Sequence, residues 1–196
     1  MALKGKDIEL FYPDSPESWR AWLEANHAVK QSVWVVYYKK NAGMPTINQS
    51  LAADQALCFG WIDSIARPLD DKSYMQFFSP RKPKSTWSKV NKQKVAVLLE
   101  AGLITKAGLE SIAIAKQNGS WELLDQVEEL ILPDDLNLAL GHQPEAMIFY
   151  SALSRSVKKA FLQWLVLARQ AETRQNRITE IVRFCIEQTV PKQFRP

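Results

Sequence analysis

The stretch Trp61–Pro80, WIDSIARPLDDKSYMQFFSP, decides how this chain folds. Tyr74, Gln76 and Phe78 alternate with Met75 and Phe77, the period of two that sends successive side chains to opposite faces of a strand. Asp70-Asp71-Lys72 carries turn chemistry between two such runs, so the piece reads as two strands joined by a turn. Pro68 has no N–H to give to a ladder, which confines the first arm to a sheet edge or to a bulge near its end.

Upstream, SVWVVYYKK is rich in β-branched and aromatic residues and predicts a strand over Val33–Lys39, buried on both faces. Between the strands a helix is expected from Ser50 to Phe59, stopped by a left-handed Gly60. DSPESWRAWLEANHA opens the fold with a helix capped by Ser15, with Pro16 at its first position and Trp19, Trp22 and Leu23 as its buried face.

Downstream of Pro80 the pattern is helical. One helix is expected from a Ser85 cap to Gly102 and one from a Thr105 cap to Gly119, with two short ones starting at Pro133 and Pro144. Val157, Ala160, Phe161, Trp164, Leu165 and Ala168 form a single buried stripe. Ile178, Ile181, Val182, Cys185 and Ile186 repeat it after a junction near Ala171-Glu172. The predicted class is α+β. A small, mainly antiparallel sheet of about three strands with helices occupies residues 1–82, and a helical part occupies residues 83–196. The two are expected to pack as one compact unit with a seam at Lys82–Ser85.

Composition fits an ordinary globular domain: 196 residues, 46% hydrophobic and 23% charged. No apolar run approaches the ~20 residues that span a bilayer, and MALKGKDIELFYPDS lacks the apolar core of a secretory leader, so a cytoplasmic location is expected. Cys58 and Cys185 are far apart among apolar neighbours and read as small buried hydrophobes.

The net charge of +4 is unevenly spread. Arg81–Lys94 holds six basic residues and no acid, and Glu122–Asp135 six acids and no base. Each run reads either as a solvated face or as half of an electrostatic arrangement, the basic one suiting an anion or nucleic acid.

Catalytic signatures are missing: no GxGxxG, P-loop, GxSxG, HExxH or paired CxxC occurs. No cofactor and no metal site is expected. His27 ends a helix and His142 sits in a turn, and neither has a partner that would make it a base. Asp134 and Asp135 suit a helix start. Asp63, beside Trp61 and Ile62, is the one weak catalytic candidate; it reads as a structural ion-pair partner or as a general base.

FFSPRKPKSTWSKVN, Phe77–Asn91, is the candidate ligand element. A helix starting at Ser85 would offer free amide donors and a positive dipole end to an anion, with Arg81 and Lys82 closing over it. Ser88 and Asn91, three residues apart, would share a face. Trp87 reads either as a stacking platform for a nucleobase or as a core anchor. The alternative is a plain capped, basic helix start.

QALCFGWIDS, FFSPRKPKSTWSKVN, AKQNGSW and FLQWLVLARQAETRQNRI resemble motifs of the bacterial YdeI/OmpD-associated, or bacteriocin-protection, family, from about Ser18 to Ile186. Ala171 stands where that family commonly has a proline. The resemblance implies a bacterial protein linked to tolerance of bacteriocins or antimicrobial peptides and to the cell envelope, with no established reaction or cofactor. It implies recurrent polar positions at Asp63, Ser64, Arg81, Lys82, Ser85, Trp87, Ser88 and Asn91, and at Glu172, Thr173, Arg174 and Arg177, as one composite polar surface; local helix roles for Thr173 and Arg177 remain open beside this.

Three functions follow: an accessory protein binding an anionic ligand or an envelope-related protein partner through residues 81–91; a small enzyme on a phosphorylated or carboxylated substrate; and a nucleic-acid-binding protein. The oligomeric state is left open by the sequence.

Overall fold

The computed structural model describes residues 9–195; residues 1–8, on which part of the reading of the chain's start rests, lie outside them. The chain is α+β, as its sequence predicts, and the described residues form two compact units. The first runs to Ser85 and resumes over Val90–Trp121; the second comprises Thr86–Lys89 and the chain from Glu122 onward.

The first unit is built on a four-stranded sheet. Its strands are β1 (Leu10–Phe11), β2 (Val33–Tyr38), β3 (Trp61–Pro68) and β4 (Ser73–Pro80), in the order β1-β2-β4-β3. β4 pairs antiparallel with both β2 and β3, and β1 adds a parallel pairing, Leu10 opposite Trp34. The extra strand β1 is two residues long, too short to show a period.

β3 is the edge strand, where Pro68 can be tolerated. Asp63 opposes Phe78 and Ala66 opposes Gln76, so β3 carries one residue more than β4 over that interval, a bulge just past Asp63.

Helix α1 (Pro16–Asn26) begins in a capping box: the Ser15 hydroxyl accepts from the Ser18 amide at 3.1 Å, and the Ser15 amide donates to the Ser18 hydroxyl at 3.3 Å. Trp19 and Leu23 are fully buried, and Trp19 meets Phe78 of the sheet edge-on at 5.4 Å. Each such side chain contributes about 1.5–3 kcal/mol of burial. Helix α2 (Gln49–Cys58) is capped by the Asn48 side chain on the Leu51 amide at 2.9 Å. Helices α3 (Lys89–Glu100) and α4 (Lys106–Gln117) complete this unit, apart from Lys89, the first residue of α3.

The second unit is helical: α5 (Asp125–Glu128), α6 (Asp134–Gly141), α7 (Pro144–Ala152), α8 (Arg155–Val166) and α9 (Ala171–Ile186). Its core gathers Leu136, Leu140, Phe161, Leu165, Ile181 and Cys185, each completely buried. Phe161, Leu165, Ile181 and Cys185 are among the positions whose helical spacing marked them as core, whereas Ile186, expected on the same stripe, is the last residue of α9 and is 45% exposed. Both cysteines are free thiols in apolar surroundings, and burial pushes the Cys185 thiol up to about 11.

Candidate functional site

Two glycines bring α4 against the start of β3. Gly60, between α2 and β3, has φ of 71°, the left-handed region that glycine adopts without strain. A Cβ there would lie 3.0 Å from the Ala107 carbonyl oxygen and 3.1 Å from Cβ of Ser111. Gly108 is tighter: its Cβ would lie 2.4 Å from the Cys58 carbonyl oxygen. That carbonyl accepts from the Thr105 amide at 3.0 Å and the Thr105 hydroxyl at 2.7 Å. Thr105 is thus a docking residue at the head of α4, where its side chain was expected to cap.

This close approach shapes a cleft of about 190 Å³ lined by Phe59, Gly60, Arg81, Pro83, Ala107, Glu110, Ser111 and Ile114. Arg81 is held at its wall because its amide donates to the Gly60 carbonyl at 2.8 Å, tying the end of β4 to the start of β3. The residue is only 9% exposed. Burial pulls its guanidinium down to about 10, while the charge of Asp63 pulls the other way. It therefore stays cationic at neutral pH.

Asp63 is oriented from behind. The buried Tyr37 hydroxyl donates to Oε1 of Gln76 at 3.1 Å, and Nε2 of Gln76 donates to Oδ2 of Asp63 at 2.7 Å. Burial, with the neighbouring Tyr74 and Asp63, pushes the Tyr37 phenol far above its ordinary value, which keeps it a donor.

Asp63 and Arg81 thus belong to one polar cluster of the first unit. Ser64 follows Asp63 on β3, and its hydroxyl donates to the Phe77 carbonyl at 3.5 Å. Lys82 is exposed, and its carbonyl accepts the Ser85 amide at 2.9 Å in a turn. Ser85 is not a helix cap: α3 begins at Lys89, with Ser88 in the preceding position. The reason is non-local. Oε1 of Glu128 accepts from the Lys89 amide at 3.3 Å, and Oε2 of the same carboxylate accepts from Nζ of Lys159 at 2.7 Å. An amide donor expected to meet a ligand is thus met by one of the protein's own acids.

Trp87 is 1% exposed, which makes it a core anchor; stacking a nucleobase needs an open ring face. Asn91 is half-buried in the first turn of α3. In the second unit, Arg174 is gripped by Asp135 through Nε at 2.6 Å and Nη2 at 2.9 Å. Arg177 donates to the Trp164 carbonyl and lies over the Trp164 ring at 5.0 Å. Thr173 is the third residue of α9, whose N-cap is Gln170.

Glu110, Ser111 and the glycine contact were not singled out from the sequence. Gly108 offered the signal: a glycine inside a helix costs about 1 kcal/mol against alanine and marks a close backbone approach. Among the described residues, no cluster of three or more His, Cys, Asp or Glu could hold a metal, and no helix is long and apolar enough to cross a membrane.

The fold is thus a sheet-based α+β unit with a docked helix and a cleft, accompanied by an all-helical unit. Residues 11–111, just over half of the chain, match the family described as a domain of unknown function (DUF8412), and the chain belongs to that family. Residues 129–185 match the family described as bacteriocin-protection, YdeI or OmpD-associated, which bears out over that segment the resemblance read from the motifs. QALCFGWIDS and FFSPRKPKSTWSKVN, with the cleft's Arg81, Glu110 and Ser111, fall within the first match. No curated protein and no solved structure shows a significant match to the chain.

Proposed function

We propose that this is a non-catalytic accessory protein that binds a small anionic group at the Arg81 cleft. Its setting in this reading is the bacteriocin-related, cytoplasmic context that the family match and the sequence suggest. One observation carries the reading: an arginine only 9% exposed contributes to the lining of an open concavity. Taking a cation out of water costs several kcal/mol unless anions answer it. Asp63 answers it within the fold, and the positive potential that Arg81 adds at the cleft wall would favour a carboxylate or phosphate there. At about 190 Å³ the cleft lies below the roughly 300–1,000 Å³ of most small-molecule pockets, which favours a small ion or molecule over a protein segment. Asp63 has a structural task as the acceptor for Gln76, so the enzymatic alternative has less to support it.

Thermal melts and calorimetric titration with acetate and phosphate test this reading. Wild type should bind at least one of them, and Arg81→Gln should lose that binding. Because loss of a buried cation can perturb folding, Ile114→Trp is the companion variant. It enlarges a 42%-exposed residue at the rim and should obstruct entry while leaving Arg81 in place. Anion binding that survives both changes would reject the cleft.

A further inference from the structure

We infer that the groove between α7 and the end of α9 is a second binding site, for a small apolar ammonium compound, with the ammonium on Glu145 and the apolar body across Ile148, Phe149 and Ala152. The inference is independent of the Arg81 cleft. The groove measures about 370 Å³ and is lined by Glu145, Ile148, Phe149, Ala152 and Gln188. That volume is at the lower end of the roughly 300–1,000 Å³ of small-molecule pockets. The four residues from α7 are spaced i, i+3, i+4 and i+7, so they form one stripe along the helix, a carboxylate in the first turn followed by apolar side chains. Glu145 is the one charged residue of the lining.

Two observations separate this groove from ordinary surface. Ile148 is 70% exposed, although it stands mid-helix between the buried Ala146 and Tyr150. Gln188, just past the α9 cap, has φ of 50°, the left-handed region that glycine favours at a helix end. Its amide donates to the Cys185 carbonyl at 3.2 Å, and the Thr189 amide donates to the Phe184 carbonyl at 2.9 Å, which closes the helix. Glycine would serve that turn at less cost, so what the glutamine adds is a side chain on the groove wall.

The polar groups of the lining are also uncommitted. Among the described residues, neither the Glu145 carboxylate nor the Gln188 carboxamide has a hydrogen bond or ion pair within the fold. The cleft of about 300 Å³ between α2 and α3 is the opposite case: Nζ of Lys94 donates to Asp54 at 2.6 Å and to the Ser50 hydroxyl at 2.9 Å, so its charges answer each other. A lone carboxylate at one end of an apolar stripe complements a cation attached to a hydrocarbon. An anion would be repelled there, and a neutral hydrocarbon would leave Glu145 out of the contact. Gln188 offers a donor and an acceptor to any further polar group of the ligand.

Calorimetry or ligand-observed NMR on the full chain, with 2-phenylethylamine, 2-phenylethanol and ethylamine, separates the charge from the apolar body. Wild type should bind 2-phenylethylamine about fivefold tighter than 2-phenylethanol, the most expected of an exposed ion pair, and should not bind ethylamine measurably. Glu145→Gln, an exposed change, should bring amine and alcohol to equal affinity while both still bind. Ala152→Trp, at another exposed position, should fill the groove and remove both. Failure of 2-phenylethylamine to bind wild type would overturn the site, as would binding that survives Ala152→Trp. Equal affinity for amine and alcohol in wild type, an unchanged preference in Glu145→Gln, or ethylamine binding as tightly as 2-phenylethylamine would overturn the ligand class.

Discussion

Replacing Gly108 by alanine should destabilise the protein, although the same change in an ordinary helix stabilises it. Alanine gains about 1 kcal/mol over glycine in a helix interior. Against this, the new methyl would stand 2.4 Å from the Cys58 carbonyl oxygen and 2.7 Å from Cγ2 of Ile104. The first of these is backbone and cannot rotate away, so α4 must back off. Forced overpacking of this kind costs about 1–3 kcal/mol. Retreat also stretches the two hydrogen bonds from Thr105 to the Cys58 carbonyl, at about 1 kcal/mol each. The net expectation is a loss of about 2–4 kcal/mol. Urea unfolding of wild type, Gly108→Ala and Gly141→Ala measures it directly. Gly141 closes α6 with nothing within 4 Å of its added methyl, so that variant should be neutral or slightly stabilised. Should Gly108→Ala match or exceed wild type, the claim that backbone contact seats α4 is refuted, and with it the account of how the cleft is shaped.

Two further outcomes are expected. Burial opposes ionisation of Glu128, but the hydrogen bonds from Lys159 and the Lys89 amide, with the charges of both lysines, outweigh it and hold the carboxyl below its ordinary value. Its folded value is depressed, so its stabilisation is complete above the unfolded value near about 4.3 and disappears as pH falls through the folded one. Glu128→Gln should lose about 1–2 kcal/mol at pH 7, a deficit that shrinks on acidification below about pH 4; an equal deficit at pH 7 and pH 3 would contradict this. For Arg174 and Asp135, the hydrogen bond from the guanidinium holds the Asp135 carboxyl low, and the contact is bidentate but solvent-accessible. A double-mutant cycle of Asp135→Asn with Arg174→Gln should return a coupling of about 0.5–1 kcal/mol in urea unfolding at low salt; additivity would show the pair to be energetically silent.

The parts of the fold read from the sequence are those fixed by neighbours in the chain. Alternation along Tyr74–Phe78 gave β4, Pro68 gave an edge, Gly60 gave a helix stop, and Ser15 capped the helix expected of it. Failures came where a distant residue decided. The first helix after the sheet starts at Lys89 rather than Ser85. Both serines make plausible local caps, and a carboxylate 39 residues on meets the Lys89 amide. The candidate site was half legible for the same reason. Arg81 and Asp63 stood out by their own chemistry, but Glu110 and Ser111 become neighbours of Arg81 only because two glycines let backbones touch. That contact depends on packing between α4 and the α2–β3 junction: Gly108 inside a helix signals a close approach, but no local pattern says which backbone meets it.

The two rims of the sheet bear on what this protein does at high concentration. On one side β3 carries the bulge and Pro68, so its outer line of amides is interrupted twice. On the other, Leu10 and Phe11 cover β2 opposite Trp34 and Val35, and beyond them the Tyr38 amide donates to the Thr46 hydroxyl at 3.2 Å. Neither rim offers a long, straight template for an incoming chain. Growth of fibrils from the native sheet is therefore disfavoured without any recourse to net charge.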